Sequence, residues 1–66
     1  MRDREGIVLV TETEVLSAPA RGTGKLLFTL HEGTKVRIER ELENWFEISA
    51  GKERQGWMKK QNIGII

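Results

Sequence analysis

The chain has 66 residues, with eleven Lys and Arg, ten Asp and Glu, one His and no Cys, so it makes one small domain with a thin core. At this size only roughly 60% of the unfolded surface is buried, which leaves little room for an enclosed substrate cavity; without disulfide or metal reinforcement in the composition, no enzyme and no cofactor are expected. The formal charge of +1 sets up no bulk field for nucleic acid or an acidic membrane, the 38% apolar content is too high for disorder, and no apolar run nears the roughly 18–20 residues that cross a bilayer.

Residues 1–6 read as a polar lead-in, Met1 being followed by Arg2-Asp3-Arg4-Glu5, as expected of a piece of a longer protein, with the domain itself over 7–66. No signal peptide opens the chain, and the absence of thiols is silent about compartment. Ile7-Val8-Leu9-Val10 is a β-branched run that reads as a buried strand, Thr11-Glu12-Thr13-Glu14 is polar, and Val15-Leu16 resumes the strand pattern. From Ser17 to Lys25 there is little to bury, and the chain's one proline lies there: this is the long loop. Leu26–Leu30 is the next strand, and His31-Glu32-Gly33-Thr34 a compact turn with Gly33 free to take a positive φ.

Lys35–Arg40 alternates cleanly, Val36 and Ile38 on one face and Lys35, Arg37 and Glu39 on the other. A helix over Arg37–Glu43 is the alternative, since Glu, Arg and Leu favour helices, but no apolar residue follows at period 3.6. Glu41-Leu42-Glu43-Asn44 is a polar connection; Trp45–Ser49 is a strand with Phe46 and Ile48 opposite Trp45 and Glu47; Ala50–Arg54 is a hairpin turn; Gln55–Met58 is a short strand. After the polar turn Lys59–Asn62, Ile63, Ile65 and Ile66 close the chain as a last strand. Five to six short antiparallel strands at this spacing predict an all-β fold, a small closed barrel or a strongly bent double sheet.

Four segments in order resemble the bacterial SH3 (SH3b) family: Val15-Leu16-Ser17-Ala18-Pro19, Leu30-His31-Glu32-Gly33-Thr34-Lys35-Val36, Asn44-Trp45-Phe46-Glu47-Ile48 and Gln55-Gly56-Trp57-Met58. The wording Phe28–Val36 is most similar to the SH3 segment that ends tetratricopeptide-repeat proteins of Bat-type aerotolerance operons. The resemblance implies a five-stranded SH3-like barrel that binds rather than catalyses. It also implies a module of a larger protein of the cell envelope or periplasm, which would meet a membrane only through that parent. Eukaryotic SH3 domains grip polyproline with tyrosine rails. This chain has no tyrosine, with Ser17, Ala18, Lys59 and Asn62 at the corresponding places, so polyproline binding is not expected.

The candidate ligand-binding residues are Ser17, Arg21, Trp45, Glu47, Trp57 and Lys59. In the resemblance Trp45 stands where the SH3 specificity pocket has its aromatic wall; the competing reading has it packing on the long loop. Trp57 follows Gly56, a pattern that favours core or rim packing. If both rings line one groove, they make an apolar floor edged by Glu47, Lys59, Ser17 and Arg21. Lys52, Arg54, Lys59 and Lys60 gather four cations, but the neighbouring Glu39, Glu41, Glu43 and Glu47 would repel phosphates, so the cluster reads as a solvated face and no nucleic-acid partner is expected. His31 beside Glu32 lies in a turn with no second His or Cys, which suits turn stabilisation better than catalysis or metal binding. Gly22-Thr23-Gly24-Lys25 precedes a strand, not a helix, so it is no phosphate loop.

The expected partner is therefore a protein or peptide segment, the parent protein's own repeats being one source, and peptidoglycan is the alternative. A wall binder should show an open cleft with an exposed aromatic and a carboxylate or amine at its ends. A protein-binding module should show a continuous apolar patch, and a purely structural end-cap should bury both tryptophans.

Overall fold

The strand that begins at Lys35 runs on to Leu42, its burial alternating as far as Ile38, where a bulge shifts the register, and this longest strand organises the rest. The computed structural model describes residues 4–20 and 22–66. Its strands are β1 (Arg4–Val8), β2 (Glu12–Leu16), β3 (Leu26–His31), β4 (Lys35–Leu42), β5 (Trp45–Ser49), β6 (Gln55–Lys59) and β7 (Ile63–Ile65), with a 3-10 turn at Lys60–Asn62. All pairings are antiparallel, in the order β3-β2-β6-β5-β4-β1-β7. The fold is all-β, as expected of a small SH3-like domain, with seven strands rather than five or six.

Three boundaries differ from expectation, each because a ladder partner overrides local polarity. Arg4, Glu5 and Gly6 pair with Ile38, Arg37 and Val36, so the polar stretch expected to precede the domain is the first half of β1 from Arg4 onward; Met1, Arg2 and Asp3 lie outside the described residues. Glu41 and Leu42 pair with Phe46 and Trp45, which shrinks the polar connection to Glu43-Asn44, and Glu43 takes the left-handed φ of 51° that the tight reversal demands. Lys59 pairs with Trp45, so β6 takes the first residue of the expected polar turn, and Lys60–Asn62 is a 3-10 turn that leads directly into β7. Gly33 takes the positive φ expected of it, 87°, and Gly51 in the Ala50–Arg54 hairpin has one as well, 91°.

Every strand turns one face to the same core. Val8, Val15, Leu30, Val36, Ile38, Phe46, Ile48, Met58 and Ile63 form one buried cluster, so the sheet is curled into a barrel-like wrap although β3 and β7 remain its edges. Where β2 crosses β6 the ladder is one pair, Leu16 opposite Trp57. Gly56 makes this crossing possible: a Cβ on it would stand 2.6 Å from Val15 Cγ1 and 2.9 Å from the Leu16 carbonyl oxygen, closer than packed atoms tolerate.

One side of the Phe46 ring is covered by charge. The Arg4 guanidinium lies 5.4 Å and the Lys60 ammonium 5.2 Å from the ring centroid, and both donate to the Glu41 carboxylate, Arg4 Nη1 at 3.3 Å. The hydrogen bond from Lys60, then its charge, hold the Glu41 carboxyl below the usual carboxylate range, with Arg4 adding to both effects.

Two outcomes are expected. Gly56→Ala should lower the urea midpoint by the equivalent of about 2 kcal/mol or more, because the new methyl meets backbone as well as a side chain. Since Glu41 binds its proton less readily folded than unfolded, its contribution should be complete above the unfolded value near about 4.3 and fade as pH falls through the lowered native value. Urea midpoints measured through that acid range should fall less steeply for Glu41→Gln than for the parent chain.

Candidate functional site

The outer face of β5 and β6 follows from register. Trp45 stands opposite Lys59 and Glu47 opposite Trp57, while Phe46 opposite Met58 and Ile48 opposite Gly56 face the core. Four of the six candidate residues therefore share one surface, but they do not form one groove.

Trp57 is 9% exposed. It is covered on its solvent side by Arg40, whose guanidinium carbon lies 5.4 Å from the ring centroid. Arg40 is itself fixed by two hydrogen bonds to Glu47, Nε to Oε1 at 2.6 Å and Nη2 to Oε2 at 3.2 Å. This forked pair raises the Arg40 pKa further, chiefly through the hydrogen bond, and occupies the Glu47 carboxylate. Trp57 thus packs beneath a charged lid, as the Gly-Trp pattern suggested, and Glu47 serves that lid.

Trp45 is half-buried and does floor a groove. With Leu16 and Lys59 it lines an open cleft of about 490 Å³ between β2 and the 3-10 turn, whose lips are Glu12 and Glu14 on one side and Gln61 and Asn62 on the other. A continuation of about 310 Å³ runs over Lys59, Lys60 and Gln61 to Asn44. The Lys59 ammonium lies 5.7 Å from the Trp45 centroid, an arrangement in which a ligand cation or ring can replace it. Asn62 Nδ2 donates to Thr13 Oγ1 at 3.0 Å, tying the 3-10 turn to β2 and setting the groove's width.

The groove carries both signs of charge. Glu12 and Glu14 bring two carboxylates on its β2 side, and Glu12 Oε2 lies 3.8 Å from His31 Nε2 across the β2–β3 ladder. Lys59 brings an ammonium on its β6 side, and Lys60, in the continuation, is engaged with Glu41.

Ser17 lies outside the groove. Its hydroxyl accepts from the Lys25 backbone N–H at 2.9 Å, while its own N–H donates to the Lys25 carbonyl at 2.9 Å, so it fastens the base of the long loop. Arg21 lies outside the described residues. The cation cluster is split by the fold: Lys52 and Arg54 sit on the β5–β6 turn, Lys59 and Lys60 at the other end of β6.

Glu12 and Glu14 were not among the expected site residues, although they alternate with buried Thr13 and Val15, which places both on the outward face. What that face meets is a matter of the β2–β6 crossing, which no local pattern reports. Gln61 gives no signal beyond a polar turn, and Asn62 none beyond its place in the SH3 resemblance, where polyproline binders carry a gripping residue.

No family model matches the chain, and no curated protein matches it.

The two tryptophans should separate in stability. Trp57→Ala should cost about 3–5 kcal/mol in urea unfolding, the range for emptying a buried aromatic site. Trp45→Ala should cost less, because its ring is only partly buried.

Proposed function

We propose that this domain is a non-catalytic interaction module that binds an extended peptide segment across the Trp45 groove. The observation that carries the reading is the groove's composition: a partly exposed aromatic floor with carboxylates on the β2 side and the Lys59 ammonium beside the ring. Such a site recognises a chain by burying one apolar or planar group on Trp45 and pairing opposite charges with Glu12, Glu14 and Lys59. A surface this small suits weak, transient binding. The first source of such a segment is a protein partner, the parent protein's own repeats included. The resemblance to bacterial SH3 domains supports a setting within a larger envelope-associated bacterial protein.

A second reading is favoured by a specific feature. An exposed aromatic flanked by carboxylates and an amine was the arrangement expected of a wall binder, and of the exposed leucines and isoleucines that would make a continuous apolar patch only Leu42 stands beside Trp45, in the β4–β5 ladder, while Leu9, Leu26, Leu27, Ile65 and Ile66 do not line the groove. The stem peptide of peptidoglycan, itself carrying carboxylates and amines, is the alternative ligand. The half-exposure of Trp45 weighs against a purely structural end-cap.

Amide and indole spectra of the isotope-labelled chain, titrated in parallel with solubilised peptidoglycan fragments and with the tetratricopeptide segment of such a parent protein, test both. Saturable movement of the Trp45 indole signal, with the Trp57 indole still, is expected for a ligand in the groove. Movement with the repeats alone supports the first source, and movement with wall fragments alone replaces it by the second. An unmoved Trp45 indole in both titrations overturns the groove as the site.

A further inference from the structure

The barrel-like wrap brings together a second set of cations that the sequence keeps apart. On the outer face of β1, β4 and β5, beside the Ala50–Arg54 turn, an open groove of about 570 Å³ is lined by Lys35, Arg37, Lys52 and Arg54, with the acids Glu5 and Glu39 between them. We propose that this groove is a separate docking surface for an acidic segment of a partner protein.

The acids within it are already engaged. Arg37 stands in the ladder between Glu5 and Ser49, yet Glu5 Oε1 approaches Lys35 Nζ at 3.8 Å and Glu39 Oε2 accepts from Ser49 Oγ at 2.7 Å. Among the described residues neither Arg37 nor Lys52 has a carboxylate within ion-pair distance. The Arg54 guanidinium lies 5.7 Å from the Phe28 ring centroid, which holds it at the groove's edge. Four cations against two engaged acids leave an excess positive charge, carried by forked guanidinium groups and a mobile ammonium.

The same pattern selects among anions. A nucleic-acid backbone presents phosphate after phosphate at fixed spacing, and some of these would fall on Glu5 and Glu39. A peptide can place single carboxylates on Arg37 and Arg54, whose planar donors match a carboxylate two by two, and on the Lys52 ammonium, and turn backbone N–H groups toward Glu39. This groove lies at the opposite end of the β5–β6 ribbon from Trp45, so it stands or falls independently of the proposal made for the Trp45 groove.

The test is a titration of the labelled 66-residue chain with an N-acetylated hexapeptide of alternating Glu and Gly, and with a thymidine oligonucleotide, at low and high salt. Saturable amide shifts at Arg37, Ser49, Gly51 and Lys52 are expected with the peptide, screened away at roughly 0.5 M salt. The double variant R37Q/K52Q should keep the parent's dispersed spectrum and bind about three- to tenfold more weakly. The proposal is overturned if the peptide produces no saturable shift, if its shifts centre on Lys59 and Lys60, if R37Q/K52Q binds it unchanged, or if the oligonucleotide binds this face more tightly than the peptide does.

Discussion

The missing side chain at Gly56 is the constraint on which the rest of the structure depends. A seven-stranded sheet of short strands stays shallow unless two of its strands pass close enough to bend it, and here the close passage is β2 over β6, with the side chain of Val15 and the backbone of Leu16 filling the space a Cβ would occupy. Ile48, opposite Gly56 in the β5–β6 ladder, is completely buried as a result. The crossing also carries Glu12 and Glu14 over the ribbon to face Trp45. The core and the candidate groove are thus two sides of one backbone contact.

On the outer face the same contact divides the work between the tryptophans. Trp57 lies at the crossing itself, opposite Leu16, and needs only a cover, which Arg40 supplies with its geometry fixed by Glu47. Trp45 lies two residue pairs further along the ribbon, where β2 has diverged from β6, so one side of its ring is left to the groove. A residue's rank as core or surface is decided here by distance from the crossing, not by its type: two indoles on one face of one hairpin differ because β2 pairs beside one, which Arg40 then covers, and has no ladder pair beside the other.

The chain's near-neutral total conceals a strongly patterned surface. Glu12, Glu14 and Lys59 gather around the Trp45 groove, while Lys35, Arg37, Lys52 and Arg54 gather at the far end of the β5–β6 ribbon. Summed charge reports solubility and long-range attraction, whereas recognition at close quarters depends on which charges lack a partner. Many here are engaged internally: Glu41 by Lys60 and Arg4, Glu47 by Arg40, Glu39 by Ser49.

The amino-acid sequence by itself determined the elements: the alternation of Lys35–Arg40, the two opposed faces of Trp45–Ser49, the glycine turns at Gly33 and Gly51 and the closing Ile63–Ile65 strand all depend on residues adjacent in the chain, where a period of two and a permitted φ are local properties. It also made Trp57 legible as a packing residue, because Gly-Trp in a strand signals close approach. Only the tertiary structure decided that Arg4–Gly6 belongs to the sheet, since its reason is the free edge of β4. Likewise Ser17 clasps a loop whose other end is Lys25, and Glu12, Glu14, Gln61 and Asn62 share a groove with Trp45. Each of these depends on a partner eight to several tens of residues away, and no pattern within one strand encodes where the sheet will bend to bring that partner near.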